Sequence, residues 1–216
     1  AKSFLKLTEH DYDVIISEPS NPWLAGVSGV FSAEYYDNCR SKLRPGGVMA
    51  QWVQLYETNN EALQTVLATF ASVFPHLSIW MGMESDLILI GSMEPMALDM
   101  KELEQRFYQP RIHEHFRQID ILRFPVFLTT ELVSHSNGYF TTPDDSPVHS
   151  DFFPRLEYLA QRGFFERRVA TYWNQFNELY SPRPMTLLGR YLADHTLSQP
   201  DFRAIASFFL ERKTYD

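Results

Sequence analysis

At 216 residues the chain is long enough for one ample core, or for one domain with a substantial appendage. A formal charge of −8 argues against a nucleic-acid partner, whose phosphates demand a basic face, and suits a basic small molecule better. The single cysteine, Cys39, excludes an internal disulfide and any multi-cysteine zinc site, and fits a reducing, cytoplasmic setting.

No apolar run approaches the ~20 residues of a membrane span, and the start AKSFLKLTEHD carries neither a signal-peptide pattern nor an initiator Met. The chain therefore reads as part of something longer, and a membrane-anchored parent chain with this piece as its soluble domain is one expectation. YDVIIS (12–17) is apolar and β-branched, which predicts a strand buried on both faces, as in a parallel sheet. EPSNPWLAGVSG then stops helix and sheet alike, so 18–29 is a loop. SAEYYDNCRSKLRPGG predicts a helix capped by Ser32, with Glu34 in its first turn and Pro45-Gly46-Gly47 ending it.

VMAQWVQLY (48–56) is the next predicted strand. A helix follows whose capping box pairs Thr58 with Glu61, and whose Leu63, Val66, Leu67, Phe70 and Phe74 form one apolar stripe. Two further strands are predicted at 77–81 and 86–92. Only Gly82, Met83, Glu84 and Ser85 separate them, too few residues for a parallel crossover, so they pair as an antiparallel hairpin. A β-α-β-α-β unit ending this way departs from the all-parallel nicotinamide-type sheet. The predicted fold class is α/β: the second half of a methyltransferase-type Rossmann-like sheet ending in an antiparallel hairpin, followed by a mostly helical tail.

Residues 1 to about 92 resemble the second half of the catalytic domain of the spermidine synthase (polyamine aminopropyltransferase) family, especially its bacterial relatives fused to membrane segments. The resemblance rests on YDVIISEPSNPW, a helix, PGGV and a strand with QWVQLY, in that order. TTPDDSP (141–147) and RLEYLA (155–160) are similar to a later family pattern, here pushed apart by VHSDFFP. The resemblance implies group transfer, with decarboxylated S-adenosylmethionine or S-adenosylmethionine as co-substrate, no metal, and a small amine or polyamine as partner. It also implies that the glycine-rich turn and the ribose-binding acid lie upstream. The isolated chain is then expected to be inactive, with the missing N-terminal half of the sheet, or a second copy, as its structural partner. Three segments follow: 1–95 as the half-domain, 96–164 as a family-type helical extension, and 165–216 as a helical tail of unassigned role.

Matched position by position, Glu18 and Asn21 take the places of the two acidic loop residues, and Gln51 that of a glutamine at the substrate end of the next strand. Aminopropyl transfer needs an amine that has lost its charge, so Glu18 is the candidate base or cation clamp. Asn21 cannot be a base, because an amide does not titrate in the useful range. It can orient an amine, as in the Asn-Pro-Pro-Tyr turn of amino-group methyltransferases, which SNPW resembles without the second proline. N-methyl transfer is thus an alternative, and a non-catalytic ligand-binding or scaffold domain is another. Ser20, Trp23, Gln51, Gln54 and Tyr56 complete the candidate substrate-binding set, Trp23 as a ring that can face a cation. Each has a plainer role open to it: Ser20 and Asn21 as turn stabilisers, Trp23 as a packed anchor, Gln51 and Gln54 facing solvent. His113 and His115 in RIHEHF have a metal-like spacing with no third ligand indicated. Asp144 and Asp145 read as helix caps. Residues 97–109 read as a solvated amphipathic helix, and FRAIASFFLERK as a packed one.

Overall fold

The computed structural model describes residues 2–24, 26–82, 85–134, 147–171 and 186–211. The chain opens with helix α1 (Lys2–Leu7), strand β1 (Tyr12–Ser17) and a short 3-10 turn (Ser28–Phe31), followed by α2 (Ala33–Arg40), β2 (Leu43–Gln54), α3 (Asn60–Val73), β3 (His76–Met81) and β4 (Asp86–Ser92). Helices α4 (Met100–Phe107), α5 (Pro110–Arg117) and α6 (Phe124–Thr129) lead to a short strand β5 (Glu131–Val133), then α7 (Arg155–Phe165), α8 (Leu187–Asp194) and α9 (Gln199–Glu211). Asp144 and Asp145 lie outside the described residues.

The strands form one sheet in the order β1-β2-β4-β3-β5. β1 and β2 are parallel, and β4 enters antiparallel between β2 and β3. The tight connection after β3 dictates this, because four residues can only return the chain alongside the strand it has just left. This is the predicted α/β architecture with its antiparallel hairpin. No strand was expected beyond residue 92. β5 nevertheless adds to the far edge, pairing antiparallel with β3 through Ile79 and Trp80.

One face of the sheet carries Met49, Gln51 and Val53 of β2, Leu87 and Leu89 of β4 and Ile79 of β3, all buried. Against it pack α2, α3 and α7, with the predicted stripe of α3 (Leu63, Val66, Leu67, Phe70, Phe74) at its centre. The Phe70 and Phe74 rings lie directly over Gly91 of β4, where an added Cβ would come within 2.5 Å of Phe70. The second face is covered only in part. The helices after residue 100 form their own apolar cluster around Phe107, Phe124, Val126 and Leu128, against which Trp80 of β3 packs. Over β1 that face leaves Val14 and Ile16 exposed, with no described helix packed on them.

Four expectations change in detail. β1 is an edge strand, so Val14 and Ile16 are 51% and 74% exposed rather than covered on both sides. α2 ends at Arg40, because Tyr12 N–H donates to the Lys42 carbonyl (2.8 Å) and draws the chain into the ladder at Leu43. Pro45-Gly46-Gly47 then sit inside β2, where Gly46 takes a φ of 74° and the register with β1 jumps. The cap of α3 is Asn59, whose side chain accepts from Ala62 N–H at 2.8 Å, whereas the Thr58 hydroxyl donates to the Tyr56 carbonyl. The 97–109 segment narrows to α4, Met100–Phe107, capped by Asp99, because Pro110 starts a separate helix.

His149 ties the layers together. It is 1% exposed. Its backbone N–H donates to Thr69 of α3 (2.8 Å), and its carbonyl accepts from Ala33 N–H at the start of α2 (3.0 Å). Nδ1 accepts from Leu156 N–H of α7 (3.3 Å), which leaves the proton on Nε2, 2.9 Å from the Ser28 carbonyl. Burial holds this imidazole below its ordinary pKa despite the Ser28 bond and the nearby Asp151 and Glu34, with Lys2 adding to the depression.

Two outcomes follow. Because the folded chain keeps His149 neutral while the unfolded chain takes a proton near the ordinary value of 6.5, the stability this residue contributes is present above that pH and is lost as pH falls toward the folded value. In thermal unfolding His149→Gln should therefore be less stable than wild type at pH 7, by about 1–3 kcal/mol, and the gap should narrow at pH 5. The bare β1 edge is a template for pairing with another chain. Light scattering should report association that grows with concentration and is reduced by Ile16→Lys.

Candidate active site

The loop after β1 leaves the carboxyl end of the strand, where open α/β sheets bind ligands. Its shape is set by turns that hand the chain on: Leu24 N–H donates to the Asn21 carbonyl (3.1 Å), Val27 N–H to that of Leu24 and Val30 N–H to that of Val27. Apolar anchors pin it down. Pro22 is buried, Phe31 is 1% exposed, and the Trp23 ring stacks on Phe164 of α7 with centroids 5.0 Å apart. The polar residues between the anchors stay accessible: Glu18 and Ser20 are exposed and Asn21 is half-buried.

Beneath the loop lies Gln51. The register pairs it with Ser17, the last residue of β1. Its side chain is fully buried, and its Nε2 donates to the carbonyls of Trp52 (2.9 Å) and Ser17 (3.4 Å). Both partners are acceptors, so the NH2 end is fixed toward them and Oε1 is left without a hydrogen-bond partner. Gln54, 2% exposed, repeats the pattern: Nε2 donates to the Tyr56 carbonyl (3.2 Å) and approaches Thr58 Oγ1 (3.5 Å), while Oε1 is unpaired. Neither glutamine faces solvent. A buried acceptor without a donor costs about 1–3 kcal/mol, so two of them at one sheet end is an expensive arrangement. What they offer chemically is a pair of acceptors for N–H donors.

The register sets Gln51 beside Ser17, one residue before the exposed Glu18, and Gln54 shares a small void of about 10 Å³ with Pro22, Phe31 and Thr58. Trp23 is engaged with Phe164, and the Tyr56 backbone forms an isolated antiparallel bridge with Val169. The Ser17 hydroxyl bonds Tyr35, whose phenol is pushed up to about 12 chiefly by burial, so it is no acid or base near neutral pH. Among the described residues no group of three or more His, Cys, Asp or Glu could hold a metal; His113 Nε2 instead lies 3.1 Å from the Leu122 carbonyl. His149, within the VHSDFFP insertion, braces the loop at Ser28 and carried no periodicity or motif by which to single it out. No helix among the described residues is long and apolar enough to cross a membrane.

Residues 1–83 match the spermine/spermidine synthase domain. The chain is 26% identical over 120 residues to a polyamine aminopropyltransferase of Nitrosomonas europaea, covering 50% of this chain and 35% of that protein. It is 24% identical over 117 residues to a polyamine aminopropyltransferase of Moorella thermoacetica, covering 49% of this chain and 41% of that protein. The matched stretch is thus less than half the length of either relative. The stretch similar to the spermine/spermidine synthase domain runs through β1, α2, β2, α3 and β3.

Proposed function

We propose that this chain is the acceptor-side part of an aminopropyltransferase, in which an amine is held at the carboxyl ends of β1 and β2. The observation that carries the reading is the Ser17–Gln51 register, which sets a buried, unpaired amide oxygen beside the loop that bears an exposed carboxylate. Glu18 clamps the incoming ammonium and takes a proton from it. Asn21 orients the nitrogen, and Gln51 Oε1 accepts an N–H. The donor this family uses is decarboxylated S-adenosylmethionine. The turn after β1 is built from Pro, Ser and Asn rather than glycines, which supports a role for it with the amine rather than with the donor's nucleoside.

Asn21 also favours a second reading. An amide that positions an amine without deprotonating it suits methyl transfer from S-adenosylmethionine. The two readings separate by donor in a coupled assay, and equal indifference to both donors would mark the domain as a binding module.

In the full-length context, Glu18→Gln should lower kcat for transfer to putrescine by about 10²–10⁴-fold, the usual worth of a general base. Asn21→Asp should raise it. Wild-type transfer that Asn21→Asp reduces would show that the loop works by positioning alone. Gln51→Met should leave stability within about 1 kcal/mol of wild type in urea unfolding, because the unpaired acceptor disappears with the amide. The same variant should raise KM for the amine about tenfold, the loss of one hydrogen bond to a charged group.

A further inference from the structure

A larger cavity lies on the other face of the sheet. Side chains alternate along a strand, so Trp52, Ile88, Ile90 and Trp80 point away from the face that carries Gln51. The register pairs Ile88 with Trp52 on one side and with Trp80 on the other, which sets the three in a row across β2, β4 and β3. Neighbouring strands lie about 5 Å apart, so the two indoles rise on either side of Ile88 from strands roughly 10 Å apart. With Phe116 of α5 and Phe127 of α6 these side chains line a space of about 460 Å³, in the range of small-molecule sites. Ile88 is 36% exposed even though its strand is flanked on both sides, so the helices stop short of the sheet here. Trp80 is fixed. Its Nε1 donates to Ser78 Oγ (3.0 Å) and its ring stacks on Phe127, centroids 5.1 Å apart.

The oxygen-bearing side chains of the wall are Thr130 and Asp86, and both are committed. The Thr130 hydroxyl donates to the Phe127 carbonyl (2.7 Å), and the Thr130 carbonyl accepts from Met81 N–H (2.7 Å). Asp86 is already engaged in an interaction of its own. Its carboxylate lies over Gly82 at the neck of the β3–β4 hairpin, where Gly82 N–H donates to the Asp86 carbonyl (2.9 Å). The backbone of Ile88 and Ile90 is spent on the ladders to β2 and β3. An indole N–H only donates, so Trp52 adds no acceptor. The wall thus holds no cation to meet an anion, and its one carboxylate is taken. Water, which needs about two to four polar partners to stay in such a space, is held poorly there.

We propose that this cavity binds a compact, neutral, aromatic molecule, its ring laid over Ile88 and Ile90 between the two indoles. The class follows from what the wall can satisfy. Apolar cavities stay dry and take up apolar molecules, and aromatic rings pair offset or edge-on with the Trp and Phe rings around them. A charged molecule would give up its water and gain no partner in return. The two indoles bound the slot across the strands, which suits a short ring system over a long chain. The site lies on the opposite sheet face from the proposed transfer site and does not rest on that reading.

Titration calorimetry of the whole chain with naphthalene, 2-naphthoate and 2-(aminomethyl)naphthalene tests it, with the indole N–H resonances in NMR as a second readout because Trp52 and Trp80 line the space. The expected result is one-to-one binding of naphthalene, at least about tenfold tighter than either charged derivative. The Trp52 and Trp80 resonances should shift while that of Trp23 stays in place. Ile90→Phe, which fills the cavity, should abolish binding. The proposal is overturned if naphthalene does not bind up to its solubility limit, or if either charged derivative binds as tightly. It is also overturned if the shift falls on Trp23 alone, which would place the ligand on the Trp23–Phe164 stack at the loop. Comparing the three ligands on the wild-type chain keeps the test decisive even where the variant fails to fold.

Discussion

The four bonds of His149 hold together the side of the molecule that carries the candidate loop. Backbone and imidazole between them meet α2, α3, α7 and the short turn that ends the candidate loop. Three helices that pack on one sheet face would otherwise be related only by apolar contact, which fixes density better than it fixes register. A buried, neutral, fully bonded side chain adds the direction that apolar packing lacks. Next to it the Lys2 ammonium bonds Ser32 Oγ (3.0 Å) and pairs with Asp151, whose backbone N–H in turn donates to Glu34 Oε2 (2.9 Å). Burial works against the Asp151 charge, yet bonds from Lys2 and Ser32 hold that carboxyl below its usual range. The N-terminal helix is thereby fastened to the segment that precedes α7.

The sheet is finished on one side only, and the reason is topological. Both crossovers, β1-α2-β2 and β2-α3-β3, join parallel strands, and right-handed connections running in one direction along a sheet lay their helices on the same face. The second face must be covered by something else. Here the later helices cover it over β3 and β4, joined to the sheet by β5, whose Glu131 Oε2 accepts from Leu187 N–H (2.6 Å) at the start of α8. A second clamp, Arg123 to Asp201 at 2.5 Å, holds α9 against α6. Burial opposes the Asp201 charge, but Ser198 and Arg123 keep its carboxyl below the usual range.

Much of this was legible in the sequence, and what was not has physical causes. The α3 stripe could be read because a 3.6-residue period belongs to one helix alone, and the hairpin because chain length leaves no other path. Val14 and Ile16 have the composition of a two-sided strand, and the open edge of β1 follows from the expectation that its other sheet neighbour is not among these residues. The cap of α3 moved by one residue because Thr58 and Asn59 are both competent caps, and the choice was settled by the Tyr56 carbonyl taking the Thr58 hydroxyl. At the candidate site, Glu18, Asn21 and Gln51 could be placed at strand ends by motif order. The inward turn of Gln51 and Gln54 could not, since a glutamine near a strand end ordinarily faces water.

Cys39 sits in the middle of the tyrosine-rich face of α2, 0% exposed, beside Tyr35 and Tyr36. Burial pushes its thiol up to about 12, against a hydrogen bond from Tyr35 that lowers it. Only the thiolate is a useful nucleophile, so in the native state this sulfur is silent toward maleimides and peroxide alike. The chain therefore behaves as a cysteine-free background as long as it is folded. A single cysteine installed at the rim of either sheet face would carry a spectroscopic label without competition, and late modification of Cys39 would itself report the opening of the core.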